Sequence, residues 1–176
     1  MKLSLKSFAT LSALSALIIL PLAFNVGSAS AEAVKFDGSY VGAGLSAGVT
    51  NGGQNNDAAN LGGNVQGRFA VPNAPISVRG AVLFNGDNSA IIPTVSYDLP
   101  ISKTTNLYAG AGYAFVQNDG KASPIGNRDS AVLTAGVESQ VAKGVVVYSD
   151  AKFGINAYQN SPASALSLQA GVGIQF

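Results

Sequence analysis

Six charged side chains stand in segments of the chain that otherwise consist of apolar and small residues. All six fall on the polar parity of their segments, and three are basic and three acidic: Arg68, Arg79, Asp98, Glu138, Asp150 and Lys152. Charges withdrawn from water are tolerated when they are paired and further hydrogen-bonded. We therefore predict an internal ion-pair cluster.

The same residues give little support to catalysis. The chain has no histidine, the usual general base near neutral pH, and no cysteine for a disulfide or a thiolate metal site. Glu138 and Asp150 resemble a carboxylate pair, but two basic side chains are expected to neutralise them. We predict no enzyme activity, no cofactor and no metal site.

The segments that carry these charges alternate with a period of two, the pattern of a β-strand with one apolar face. The last segment is the clearest, with an apolar parity made of Leu166, Leu168, Ala170, Val172, Ile174 and Phe176. Eight strands are predicted, each near the roughly 9–11 residues that a tilted strand needs to cross a bilayer. They are Tyr40–Thr50, Leu61–Val71, Ile76–Asn85, Ser89–Leu99, Asn106–Val116, Asp129–Gln140, Val145–Ile155 and a final strand ending at Phe176.

The connections between these strands differ in length. Those after strands two, four and six are short, whereas three are long and polar: Asn51–Asn60, Gln117–Arg128 and Asn156–Ser164. Bacterial barrels combine even strand numbers with short periplasmic turns and longer extracellular loops. The predicted fold is all-β, an eight-stranded antiparallel up-and-down transmembrane β-barrel. We expect its long loops to be flexible and solvated, because they carry few charges and one aromatic residue, Tyr158, whereas binding surfaces usually have Tyr, Trp or Arg anchors.

Outward aromatic residues and one proline refine this prediction. The aromatics separate into a loop-side group and a turn-side group, as expected of two interfacial girdles: Phe84, Tyr113, Phe115 and Phe153, and Phe69, Tyr97 and Phe176. Pro93 removes a hydrogen bond from the fourth strand, so we expect a bulge or kink there.

Composition and the N-terminal segment favour export. Lys2 and Lys6 precede an apolar run that ends at Pro21 and Ala29-Ser30-Ala31, the layout of a cleaved signal peptide over residues 1–31. Residues 32–176 form the predicted barrel. Of ten basic residues two lie in the signal, which leaves eight against nine acidic ones, so net charge predicts no nucleic-acid partner.

Short segments resemble a known family. Ser39–Gly44, Leu107–Tyr113, Gly136-Val137-Glu138 and the last strand with Phe176 resemble small outer-membrane barrels, the OmpA/OmpX and opacity-protein-like proteins. The resemblance implies the outer membrane of a diderm bacterium, outer-membrane lipid as surroundings, and a monomer. It also implies a C-terminal signal for the barrel-assembly machinery in Leu168, Ala170, Val172, Ile174 and Phe176.

Three roles stay open for such a barrel. In the first, the ion-pair cluster closes the lumen and holds the shape of the barrel. In the second, it gates a narrow solute path. Space for such a path is left by small inward residues: Gly42, Gly44, Ser46, Gly48, Gly110, Gly112, Gly171 and Gly173. Across the lumen we expect Arg68 to face Glu138, and Arg79 to face Asp150 and Lys152. The alternative is a secreted soluble barrel whose apolar parity points inward and binds a small apolar ligand.

Overall fold

The computed structural model describes residues 36, 38–52 and 60–176, so the predicted signal peptide lies outside the described residues. These residues form one closed antiparallel barrel in which each strand pairs with the next. The strands are β1 (Tyr40–Gly48), β2 (Asn60–Ala70), β3 (Ile76–Phe84), β4 (Ser89–Pro100), β5 (Thr105–Val116), β6 (Ser130–Ala142), β7 (Val145–Ile155) and β8 (Ala165–Gln175). No helix among these residues is long and apolar enough to cross a membrane.

The predicted eight-stranded barrel is confirmed, and β1 closes it by pairing with β8, from Tyr40 opposite Gln175 to Gly48 opposite Ser167. Two strand ends differ from the prediction by two residues, and several others differ by one. β1 stops at Gly48 instead of Thr50, where the Thr50 hydroxyl accepts a hydrogen bond from the Leu166 amide. β6 continues to Ala142 because the register with β7 shifts between Gln140 and Ala142 and absorbs an extra residue.

The apolar parity faces outward and the polar parity faces the lumen. Leu45 is 70% exposed and Ile174 60%, whereas Glu138 and Gln169 are fully buried. All charged residues within the strands lie on the inward face, so the outward face carries none. This arrangement contradicts the soluble alternative, which requires an apolar lumen and a polar exterior.

Pro93 interrupts the ladder without changing its register. Ile91 pairs with Phe115 and Thr94 with Gly112 on β5, and the pairs between them are missing. Pro93 still lies opposite Gly80 on β3. Of the bulge or kink expected at Pro93, the bulge is wrong, because the residue pairing has the same register on both sides of the missing hydrogen bond; the kink stays a prediction.

The two ends of the barrel are built differently. The end where β1 begins and β8 ends, with the turns 71–75, 101–104 and 143–144, is called the turn end, and the opposite end the loop end. At the loop end, Ile125 enters the lumen from the β5–β6 loop and is fully buried. It completes an apolar cluster, the plug, with Ala81, Leu83, Ala90, Ile92, Ala114, Val116 and Val132.

The described long loops are also more ordered than the sequence suggested. Asn88 Nδ2 donates to the carbonyl oxygens of Asn118 and Lys121, which fixes the β5–β6 loop to the β3–β4 turn. The Asn127 amide donates to the Ala157 carbonyl oxygen, joining the β5–β6 and β7–β8 loops. These bonds hold the plug in place. The expectation of purely solvated loops is not met there.

Candidate functional site

The turn-end half of the lumen holds two arginines and two carboxylates in direct contact. Arg68 on β2 and Arg79 on β3 are cross-strand neighbours. Asp98 Oδ2 lies 2.8 Å from Arg68 Nη2, and Asp98 Oδ1 lies 3.0 Å from Arg79 Nη2. Glu138 lies 2.8 Å from Arg79 Nη1 and 3.2 Å from Arg68 Nε. Each carboxylate thus bridges both guanidinium groups, which offsets the repulsion between the arginines.

Neutral side chains satisfy the remaining hydrogen-bonding capacity of this ion cluster. Arg79 Nε donates to Ser96 Oγ at 2.8 Å, and the Ser77 hydroxyl donates to Asp98 Oδ2. Tyr40 Oη donates to Glu138 Oε2 at 3.0 Å. A buried ion pair needs such additional bonds to offset the loss of hydration. The charged groups of the ion cluster are therefore hydrogen-bonded as well as paired.

A second pair lies beside the first, linked through a tyrosine. Lys152 Nζ is 2.6 Å from Asp150 Oδ1, and Tyr108 Oη donates to Asp150 Oδ2 at 2.8 Å. The Arg79 guanidinium carbon lies 3.6 Å from the centre of the Tyr108 ring, a cation–π contact. Arg79 was expected to face Asp150 and Lys152, but its ion pairs are with Asp98 and Glu138, and Tyr108 links it to Asp150.

Tyrosines fill the space that some of the inward glycines leave. A Cβ on Gly42 would lie 2.8 Å from Tyr148 Cε1, and one on Gly173 would lie 2.7 Å from Tyr40 Cδ2. The Tyr40 and Tyr148 rings stack with centres 5.9 Å apart. Of the small inward residues, Gly42, Gly171 and Gly173 therefore accommodate tyrosine side chains, whereas Gly44, Gly110 and Gly112 lie against the backbone of neighbouring strands. The sequence signal was present, since these tyrosines lie on the polar parity of their strands.

A residue that sequence reasoning missed packs into the turn end of the lumen. Phe36, which precedes β1, is buried, and its ring lies 5.2 Å from the Arg68 guanidinium carbon. Asn106 Nδ2 donates to its carbonyl oxygen at 2.6 Å, and Arg68 Nη1 donates to the Gly38 carbonyl oxygen at 2.7 Å. These contacts draw the chain before β1 into the barrel mouth. No sequence pattern marks Phe36.

The six predicted charged residues thus all lie in the lumen, in two groups. Arg68, Arg79, Asp98 and Glu138 form the ion cluster, and Asp150 and Lys152 form the second pair. Three are positive and three negative, so the set is neutral. Among the described residues, no group of histidine, cysteine, aspartate or glutamate is arranged to hold a metal ion. Phe176, at the end of β8, lies outside this site: its amide donates to the Ser39 carbonyl oxygen, and its ring contacts Phe69.

Solved structures with the same architecture are membrane barrels. A designed transmembrane β-barrel matches with a TM-score of 0.56 and 11% identity over 81% of this chain and 98% of its own. Ail, the attachment invasion locus protein of Yersinia pestis, matches with a TM-score of 0.53 and 20% identity over 80% of this chain and all of Ail. The fold is that of the small outer-membrane β-barrels.

Neisserial surface protein A gives the same result, with a TM-score of 0.53 and 14% identity over 78% of this chain and 97% of its own. Sequence comparison adds nothing to this: no family model and no curated protein matches the chain. At these identities the small-barrel match establishes the fold, whereas the role follows from the lumen and the surface of this chain.

Proposed function

We propose that the protein is an integral outer-membrane β-barrel whose lumen is closed and whose role is structural. The observation that carries this proposal is closure at three levels in series. Phe36 packs into the turn end, the ion cluster with its tyrosines occupies the lumen next to it, and the plug around Ile125 fills the loop end. An eight-stranded barrel is just wide enough for side chains to fill it.

The exterior supports placement in a bilayer. The strands are 9 to 13 residues long, and their outward face carries no charge. Lipid-facing charges are costly near the middle of a membrane. Both aromatic girdles are exposed, with Phe115 at 51% on the loop side and Tyr97 at 59% on the turn side. Long loops are extracellular in bacterial barrels, so the turn end would face the periplasm.

A conducting role has weaker support. Opening a path requires displacement of Phe36, the ion cluster and the plug together. Removing only one member of a buried ion pair leaves an uncompensated charge, which opposes stepwise opening. A gate made from the ion cluster alone would still meet an apolar plug above it. We therefore favour the closed barrel over the narrow pore.

The ligand of one structural relative does not transfer readily to this chain. Ail has been solved in complex with the heparin analogue sucrose octasulfate. Polysulfated ligands need clustered basic residues. In the described loops at the loop end, Lys121 and Arg128 are outnumbered by Asp87, Asp119 and Asp129. We propose no sulfated-glycan binding.

Membrane placement is tested by fractionation. The full chain is expressed in a diderm bacterium, and the outer membrane is separated from the inner membrane and then washed with sodium carbonate. We expect the mature protein to remain in the outer-membrane pellet, because its apolar exterior is stable only in lipid. Recovery of the folded protein in the periplasmic supernatant would refute the proposed function.

A further inference from the structure

A concave pocket of about 530 Å³ lies on the outside of the barrel, across β4 to β7. Its sides are formed by large outward side chains near the turn end, Tyr97, Leu99 and Leu107. Its floor is formed by Ala109, Ala135 and Ala151. These residues have the outward parity, so the pocket, here named the groove, faces away from the lumen.

The depth of the groove is visible in the exposure of its residues. Ser149 and Val137 point outward and pair with each other, yet only 3% and 5% of their surfaces are exposed. Leu99, which also points outward, is 52% exposed. Most outward apolar residues elsewhere are more exposed, such as Leu45 at 70% and Ile174 at 60%, although Leu168 on β8 is 5% exposed. A slender apolar ligand in the groove would therefore be contacted from three sides, which multiplies its dispersion contacts.

The turns beyond one end of the groove carry two lysines. The groove begins at the turn end, where Leu99 pairs with Leu107, and the turn joining their strands carries the exposed Lys103. Lys143 lies in the neighbouring β6–β7 turn, and the three turns of this end contain no aspartate or glutamate. An apolar channel that ends beside cations suits an amphiphile with an anionic head and a long chain.

We propose that the groove binds one phospholipid, with an acyl chain along Ala109, Ala135 and Ala151 and its phosphate beside Lys103. A second copy of the barrel fits less well. A stable protein interface buries about 1,200–2,000 Å², and the convex wall of a second barrel cannot enter a groove walled by Tyr97 and Leu107. The inference rests on the membrane placement proposed above.

Spin-labelled lipids test the proposal in nanodiscs of phosphatidylcholine that contain the full mature chain. The probes are phosphatidylglycerol and phosphatidylcholine, each with a nitroxide on an acyl chain, and the measurement is the immobilised lipid per barrel. The variant Ala109→Leu/Ala135→Leu fills the groove. It should fold normally, because leucine on a lipid-facing surface is favourable. Ala43→Leu, exposed on β1, is the matched control.

We expect the wild type and Ala43→Leu to hold one more immobilised phosphatidylglycerol per barrel than the filled variant. Lys103→Gln should weaken the binding of phosphatidylglycerol more than that of phosphatidylcholine, whereas Lys121→Gln at the loop end should leave both unchanged. Equal immobilisation by the wild type and the filled variant would overturn the proposal, as would equal losses in Ala43→Leu.

Two further outcomes separate the possible failures. A wild type that is dimeric in nanodiscs and becomes monomeric when the groove is filled would show that a second copy occupies it. A chain that does not enter nanodiscs at all would refute the membrane placement and this inference together. An inserted monomer that lacks the extra immobilised lipid would refute only the phospholipid site.

Discussion

Arg68 and Arg79 lie directly opposite each other on adjacent strands inside the barrel, and Asp98 and Glu138 each bridge them. Two like charges in this position destabilise a sheet unless opposite charges compensate them. The carboxylates come from β4 and β6, so the network ties distant parts of the barrel together across its lumen. The stability of the barrel should therefore depend on the balance of this network.

Removal of the shared carboxylate is the first test. Glu138→Gln leaves the buried arginines with one carboxylate between them, and breaking a buried pair costs about 3–5 kcal/mol. We expect a loss of that order in the free energy of unfolding, measured by urea titration in lipid vesicles. Asp119→Asn, on an exposed loop, should change it by less than about 0.5 kcal/mol.

A compensating variant separates charge balance from simple disruption of packing. Glu138→Leu/Arg79→Met removes one charge of each sign, so it should recover much of the stability lost in Glu138→Gln. If the double variant loses as much stability as the single variants Glu138→Leu and Arg79→Met lose together, the ion cluster is not balanced as described.

The packing of tyrosines over glycines is tested with alanine. A Cβ on Gly171 would collide with Tyr148 Oη and lie 2.5 Å from the Ala43 carbonyl oxygen, whereas one on the lipid-facing Gly80 meets nothing within 4 Å. Overpacking of this kind costs about 1–3 kcal/mol. We expect Gly171→Ala to lower the urea midpoint and Gly80→Ala to leave it unchanged or raise it. Equal midpoints would mean that the lumen has room to spare.

The fold was predictable from sequence because period-two alternation specifies both the strands and their faces. The alternation placed all six charges on the inward face, and loop lengths indicated the two ends. The contacts between charged side chains in the lumen were harder to predict. Arg79 was expected to face Asp150, but whether an aromatic ring stands between two charges depends on side-chain packing across the lumen, which parity does not encode.

Ile125 and Phe36 were harder still to predict from the sequence. Both lie outside the strands, so no periodicity marks them, and each enters the lumen through contacts formed only when distant segments meet. Asn106 reaches Phe36 from 70 residues further along the chain. The β5–β6 loop looked solvated because its composition is polar, yet its hydrogen bonds to the β3–β4 turn hold one apolar residue inside.

The plug is tested by chemical access. The natural chain has no cysteine, so Ala114→Cys places a single thiol in the plug. It should react slowly with a water-soluble maleimide in vesicles. Adding Ile125→Ala removes the side chain that covers it and should accelerate labelling severalfold, at a local cost of about 2–5 kcal/mol. Ile101→Ala, exposed at the turn end, is the control and should not change the rate.

The proposed assembly role of Phe176 makes a prediction in cells. Phe176 is exposed at the turn end of β8 and contacts Phe69, whereas Phe115 belongs to the opposite girdle. If the last strand is recognised by the barrel-assembly machinery, Phe176→Ala should lower the amount of folded protein in the outer membrane more than Phe115→Ala does. Heat-modifiable migration on gels measures the folded fraction. Equal levels of the two variants would argue against a signal at Phe176.

Single-channel recording tests the closed lumen most directly. The refolded full mature chain is inserted into planar bilayers, and its insertion is verified by protease protection of the same vesicles before fusion. The account predicts no discrete current steps from the wild type and none from Arg79→Ala, since Phe36 and the plug still occupy the two ends. Regular, repeatable conductance steps from the inserted wild type would contradict a structural barrel and establish a pore.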